Sequence, residues 1–138
     1  MRLIGENVKN KLNIKDPFSG DVLHIYYRSP TSEERVKYFS AQFEIVDGKV
    51  DLSPSKGRLE LGAAIILGFD EGDFGREVDG EPRPYSSDPE SPSYEAGWKD
   101  LLMKFAPDIL EALALHAFEG ARSVASQVSN EEKRQKNL

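Results

Sequence analysis

The chain has no cysteine, only two histidines and no basic surplus, and each shortage removes a class of function. Without thiols there is no disulfide framework, no thiolate metal site and no cysteine nucleophile. The longest run free of polar residues, Leu61 to Phe69, has nine residues, well short of the roughly 18 that a membrane-spanning helix needs. The amino-terminal MRLIGENVKN reaches Glu6 before an apolar stretch develops, so no secretory signal peptide is expected and a cytoplasmic setting is. No GxSxG elbow supports a serine nucleophile. The stretch GFDEGDFG, residues 68–75, has three glycines but neither the GxGxxG spacing nor a lysine, and its acids would repel a phosphate. These absences point away from an enzyme and from a bound cofactor.

What is present is unevenly placed charge. Asp70 to Glu90 holds eight acids against Arg76 and Arg83, a balance of −6 that equals the net charge of the whole chain. The remainder is neutral, so it offers no cationic surface for phosphates, and nucleic acid is not an expected partner.

At 138 residues the chain has the length of one domain with a real core. Residues 1–126 read as a single α+β domain and 127–138 as a polar, fraying tail. The alternation in Lys11–Lys15 and in Asp21–Arg28, the latter with Leu23, Ile25 and Tyr27 on one face, predicts two strands. DPFSG between them supplies turn chemistry, giving an amino-terminal β-hairpin. An isolated hairpin is marginal, so it must pack on a mainly helical body of about four helices.

Thr31 and Glu34 match a capping box and predict a helix start after Pro30. The stripe Val36, Phe39, Phe43 and Val46 continues that helix to Asp47-Gly48. A second helix is expected from Ser53 or Ser55 to Gly68, with Leu59, Ala63, Ile66 and Leu67 inward and Gly62 allowing another helix to approach closely. The acidic segment 70–92 carries four prolines and three glycines and reads as a loop without regular structure. Ser93 is the expected cap of a third helix through Trp98, Leu101, Leu102 and Phe105. Ala106-Pro107-Asp108 breaks it. A fourth helix follows with Ile109, Leu110, Leu113, Ala114, Ala117, Phe118 and Ala121, apolar over more than one face and therefore central or buried against a partner.

Candidates for chemistry are few. His116 and Glu119 have the spacing at which two helical side chains share a metal, but one such pair supplies two ligands, and a packed histidine is the commoner reading. Asp70, Asp73 and Asp79 suggest a calcium loop, yet position three from Asp70 is Gly72, where the EF-hand needs an acid. A metal enzyme or hydrolase would require His24, His116 and carboxylates to converge. No metal ligand, catalytic residue or cofactor-binding residue is therefore assigned.

DPFSGD entering a strand, YYRSPTSEERVKY opening the first helix and LGAAIILGFDEGDF closing the second together resemble small tailed-phage and prophage proteins of the tail-assembly-chaperone kind, over Ile14 to Phe74. The resemblance implies a compact, mostly helical, non-enzymatic protein that binds the tape-measure protein before the tail tube polymerises around it. It brings no catalytic residues, and the acidic excursion after Phe74 departs from the family pattern. A tape measure is a long helical protein with apolar stripes, so apolar helical surface is the expected contact, with Trp98, Phe105 and Phe118 as candidate anchors and core packing as their competing role. Self-association is a further possibility for such a surface. The alternative of a different class is an acidic interaction or inhibitor protein that uses residues 70–90 against a basic partner.

Overall fold

The computed structural model describes residues 1–5, 7–41, 44–51 and 54–120, and of 44–46 and 49–51 only the course of the backbone. Phe43, Ser53, Ala121 and the tail 127–138 lie outside the described residues, as does the side chain of Val46.

The amino-terminal hairpin forms as the alternation predicts. β1 (Asn10–Lys15) and β2 (Val22–Tyr27) pair antiparallel, with Leu12 opposite Ile25 and Ile14 opposite Leu23. The Asp16 carboxylate accepts hydrogen bonds from the backbone of Phe18 and Ser19 and from the Ser19 hydroxyl, while Gly20 takes a positive φ of 79° to close the loop. Asp16 thereby satisfies donors that a tight connection would otherwise leave open. Leu23 and Ile25 are buried, which leaves His24 and Tyr26 on the opposite face of the sheet.

Helix α1 (Ser32–Ser40) begins with the full capping box between Thr31 and Glu34. Arg28, at the end of β2, makes two hydrogen bonds to Glu34, at 2.6 and 2.8 Å, and donates a third to the Ala64 carbonyl. One guanidinium thus ties strand, helix start and the following helix together.

From here three expectations fail for related reasons. The first helix stops at Ser40, and Glu44–Val46 is strand β3, paired with β4 (Lys49–Asp51). Asp47 and Gly48 have φ of 52° and 76°, the pair of positive values that a two-residue hairpin turn requires. Val36, assigned to the inward stripe, is exposed; Tyr38 is the buried residue of α1, with Phe39 packed beside it. The second helix, α2 (Pro54–Ile65), ends before Gly68, and β5 (Ile66–Phe69) joins the sheet on the far side of β2 in the order β1-β2-β5. Tyr26 faces Gly68 but Tyr27 faces Ile66, so Leu67 is a bulged residue and points outward.

The third correction concerns the acidic segment, of which residues 75–84 are regular and the flanks 70–74 and 85–92 are not. β6 (Gly75–Val78) and β7 (Glu81–Pro84) form a hairpin whose turn, Asp79-Gly80, again has two positive φ values, 53° and 79°. Prolines survive because Pro82 and Pro84 lie on a two-stranded ribbon with a free edge. Its base is fastened by aromatics: Phe74 and Tyr85 both meet the Phe69 ring edge-on, and Tyr85 donates its backbone N–H to the Phe74 carbonyl. Farther along, Ser86 donates its N–H to the Ser93 carbonyl and accepts the Glu95 N–H, which closes residues 86–95 into a loop.

Helix α3 (Trp98–Phe105) starts from Gly97 without a side-chain cap, so Ser93 does not have the capping role expected of it. The break at Ala106 is real, and helix α4 (107–120) follows with Pro107 in its first turn. Leu110, Leu113, Ala114 and Phe118 of α4 are completely buried in one cluster with Ile25, Ile65, Ile66 and Leu102. The architecture is α+β, with an amino-terminal hairpin, four helices and further short strands among the described residues. None of the described helices is long and apolar enough to cross a membrane.

Candidate functional site

The three aromatics expected to anchor a partner separate into three environments. Phe118 has no exposed surface: its ring stacks on Tyr38 with centroids 4.5 Å apart and planes 5° from parallel. It is a core residue and cannot serve as a contact anchor in the folded chain. Trp98 is half-buried, edge-on to Phe69 at 5.7 Å, with Lys99 Nζ 5.6 Å from its ring. Phe105, at the carboxy-terminal end of α3, is 72% exposed, and Lys104 is the cation beside its ring. Of the three, only Phe105 presents most of its surface to solvent.

The His116–Glu119 pair on α4 is not a ligand set. His116 is exposed and meets Tyr27 edge-on at 6.0 Å, so it is not the packed histidine expected of it. Glu119 turns instead to Tyr38, whose hydroxyl donates to it at 2.6 Å, and to Arg58 at 3.9 Å. Burial and the Glu119 carboxylate both raise the Tyr38 hydroxyl above the usual tyrosine range.

His24 gathers the carboxylates. Antiparallel pairing of β2 with β5 brings Asp70 beside it, the Asp70 N–H reaching the His24 carbonyl at 3.3 Å. The chain then turns back through Gly72, at a φ of 93°, and Asp73 donates its N–H to the Asp70 carbonyl. This sets Asp73 Oδ1 at 3.2 Å and Asp70 Oδ2 at 3.6 Å from His24 Nδ1. The remaining oxygens have donors of their own: the Tyr26 hydroxyl reaches Asp70 Oδ1 and the His24 backbone N–H reaches Asp73 Oδ2, each at 2.8 Å. The bond to Asp70 is the main reason that the Tyr26 hydroxyl is harder to ionise than an ordinary tyrosine. Asp73 is the least exposed of the three side chains at 10%. Asp79, the third member of the supposed calcium loop, sits in the β6–β7 turn, apart from this group.

Sequence reasoning missed this convergence because 44 residues separate Tyr26 from Asp70 and 49 separate His24 from Asp73. The available signal was the period of β2, which places His24 and Tyr26 on one face, together with a strand ending directly at Asp70.

No family model matches the chain, and no curated protein or solved structure is found to be similar to it.

Proposed function

We propose that this chain is a non-enzymatic, cytoplasmic protein-binding module of the tail-assembly-chaperone kind, which holds the tape-measure protein or another tail protein through apolar helical surface before assembly. The observation that carries the reading is Phe105, a large aromatic left 72% exposed at the end of a helix that otherwise packs Leu102 into the core. Leu115 adds a second exposed apolar side chain on α4. An aromatic of this size has a large area to bury and is a common binding anchor. The test is co-expression with the tape-measure product of the same locus, followed by light-scattering size-exclusion chromatography at low and high salt. A soluble complex that survives high salt and is lost in Phe105→Ser supports the reading. Separate elution, with the tape measure insoluble, overturns it.

A second reading gains from one specific observation. A carboxylate mimic needs its charges on an ordered element, and Glu77, Asp79 and Glu81 stand on the β6–β7 hairpin instead of a loose chain. A basic partner held there would be released steeply by salt and lost on replacing those three acids with their amides.

A further inference from the structure

We propose that His24, Asp70 and Asp73 form a binding site for a divalent first-row transition metal, with Zn²⁺ the best fit, and that the metal fastens β2 to the root of the acidic hairpin. This inference does not depend on the protein-binding reading.

The donor set carries the argument. The three ligand atoms lie within 4.8 Å of one another, with His24 Nδ1 to carboxylate distances of 3.2 and 3.6 Å. Zinc bonds of about 2.0–2.2 Å in tetrahedral array put neighbouring ligand atoms about 3.4 Å apart. The two nitrogen-to-carboxylate separations are thus close to the required spacing before any ion enters, and the two carboxylates lie within 4.8 Å of each other. An imidazole nitrogen with two carboxylates suits zinc and its neighbours, whereas calcium and magnesium prefer oxygens throughout.

The electrostatics of the group point the same way. A ring nitrogen carries one proton and can serve one acceptor well, yet two carboxylates face His24 Nδ1. Among the described residues neither Asp70 nor Asp73 is paired with a lysine or arginine. Lys9 and Lys11 sit over the Tyr26 ring instead, at 5.1 and 5.9 Å. A dication at the centre would meet both carboxylates and the nitrogen lone pair together and remove the repulsion between the two acids.

Both carboxylates are also oriented from behind. The Tyr26 hydroxyl holds Asp70 Oδ1 and leaves Oδ2 toward the ring nitrogen, while the His24 N–H holds Asp73 Oδ2 and keeps both Asp73 oxygens within 3.3 Å of that nitrogen. Outer contacts of this sort characterise metal sites and tune their affinity. Entry is open: the His24 and Asp70 side chains are 33% and 46% exposed, and a cleft lined by Lys9, Tyr26, Gly68 and Asp70 adjoins them. Three protein ligands leave a fourth position for water.

The experiment is calorimetric titration of the untagged, chelator-treated full chain with ZnCl₂, with CaCl₂ as the comparison. Thermal melting is followed in parallel with and without zinc. One saturable site per chain is expected, with a melting temperature that zinc raises and a chelator restores. His24→Gln and Asp73→Asn should each weaken binding by about 100-fold or more, and Tyr26→Phe by roughly 10- to 100-fold through the misplaced Asp70. Tyr26→Phe leaves all three ligands in place and is the informative variant if Asp73→Asn fails to fold. Absence of saturable binding at millimolar zinc, unchanged affinity in His24→Gln and Tyr26→Phe, or calcium binding as tight as zinc would each overturn the proposal.

Discussion

Gly62 of α2 lies directly against the backbone of Leu110 in α4: a β-carbon built at position 62 would stand 2.2 Å from the Leu110 carbonyl oxygen and 2.9 Å from its carbonyl carbon. The obstacle is main chain in the first turn of α4, where the Leu110 side chain is fully buried, so it cannot swing aside. Gly62→Ala should therefore destabilise the protein even though alanine favours helix by about 1 kcal/mol. Forced separation of two packed helices outweighs that gain, with a net loss of about 1–3 kcal/mol. Urea unfolding of the variant checks it, and Gly120→Ala, where nothing among the described residues lies within 4 Å, is the control.

Phe118 and Phe105 should respond oppositely to truncation. Removing the buried Phe118 ring leaves Tyr38 without its stacking partner and opens a cavity between α1 and α4, at about 3–5 kcal/mol. Phe105→Ser removes surface that already faces solvent and should change stability by no more than about 0.5 kcal/mol. Thermal denaturation of the two variants separates the core role from the contact role that both aromatics could have had.

Local chemistry explains which parts of this fold were legible in the sequence. The DPFSG loop and the Thr31/Glu34 capping box depend on neighbours in the chain, and both were read correctly. The stripe Val36, Phe39, Phe43 and Val46 misled because helical spacing continued past Ala41, where the helix ends, into residues that pair as a strand. Leu61 to Phe69 misled differently. A continuous apolar run does not distinguish helix from strand, and the change at Ile65-Ile66 falls on β-branched residues that suit either half. Asp47-Gly48 reads as the end of a helix and Asp79-Gly80 lies inside a segment that reads as a loop, although an Asp-Gly pair is also a hairpin signal. Prolines at 82 and 84 hid the second hairpin, although an unpaired edge tolerates them. The His24 group depended on the pairing of β2 with β5, a long-range relation that no local pattern records.

Ser87 is expected to contribute to stability beyond its size. Its hydroxyl accepts the Phe69 N–H at 3.0 Å and returns a hydrogen bond to the Phe69 carbonyl at 3.3 Å. One side chain thus covers backbone groups at the outer edge of β5 that would otherwise be left facing the acidic segment. Ser87→Ala should cost about 1–2 kcal/mol, the penalty for leaving such groups without a partner. Hydrogen exchange at the Phe69 amide should accelerate in the variant, while amides of β1 keep their protection.

Acid should weaken the fold through Glu34. Its bonds to Arg28, aided by the Thr31 N–H and hydroxyl, hold the carboxyl at about 2 against an ordinary 4.5. Arg28, for its part, is made still harder to deprotonate by the same contact. Because the folded value is the lower one, the unfolded chain takes up its proton first. The contribution is complete above about pH 4.5 and disappears as the pH falls toward 2. Glu34 is mostly buried, its side chain 18% exposed, so screening reduces the effect only in part, and about 2 kcal/mol is expected at neutral pH. Glu34→Gln should be less stable than the parent by about that amount at pH 7 and nearly equal to it at pH 2, with the difference shrinking between pH 4.5 and 2. Chemical denaturation of both proteins across this range measures it. A constant difference at every pH would mean that Glu34 acts through packing at the helix start and not through its charge.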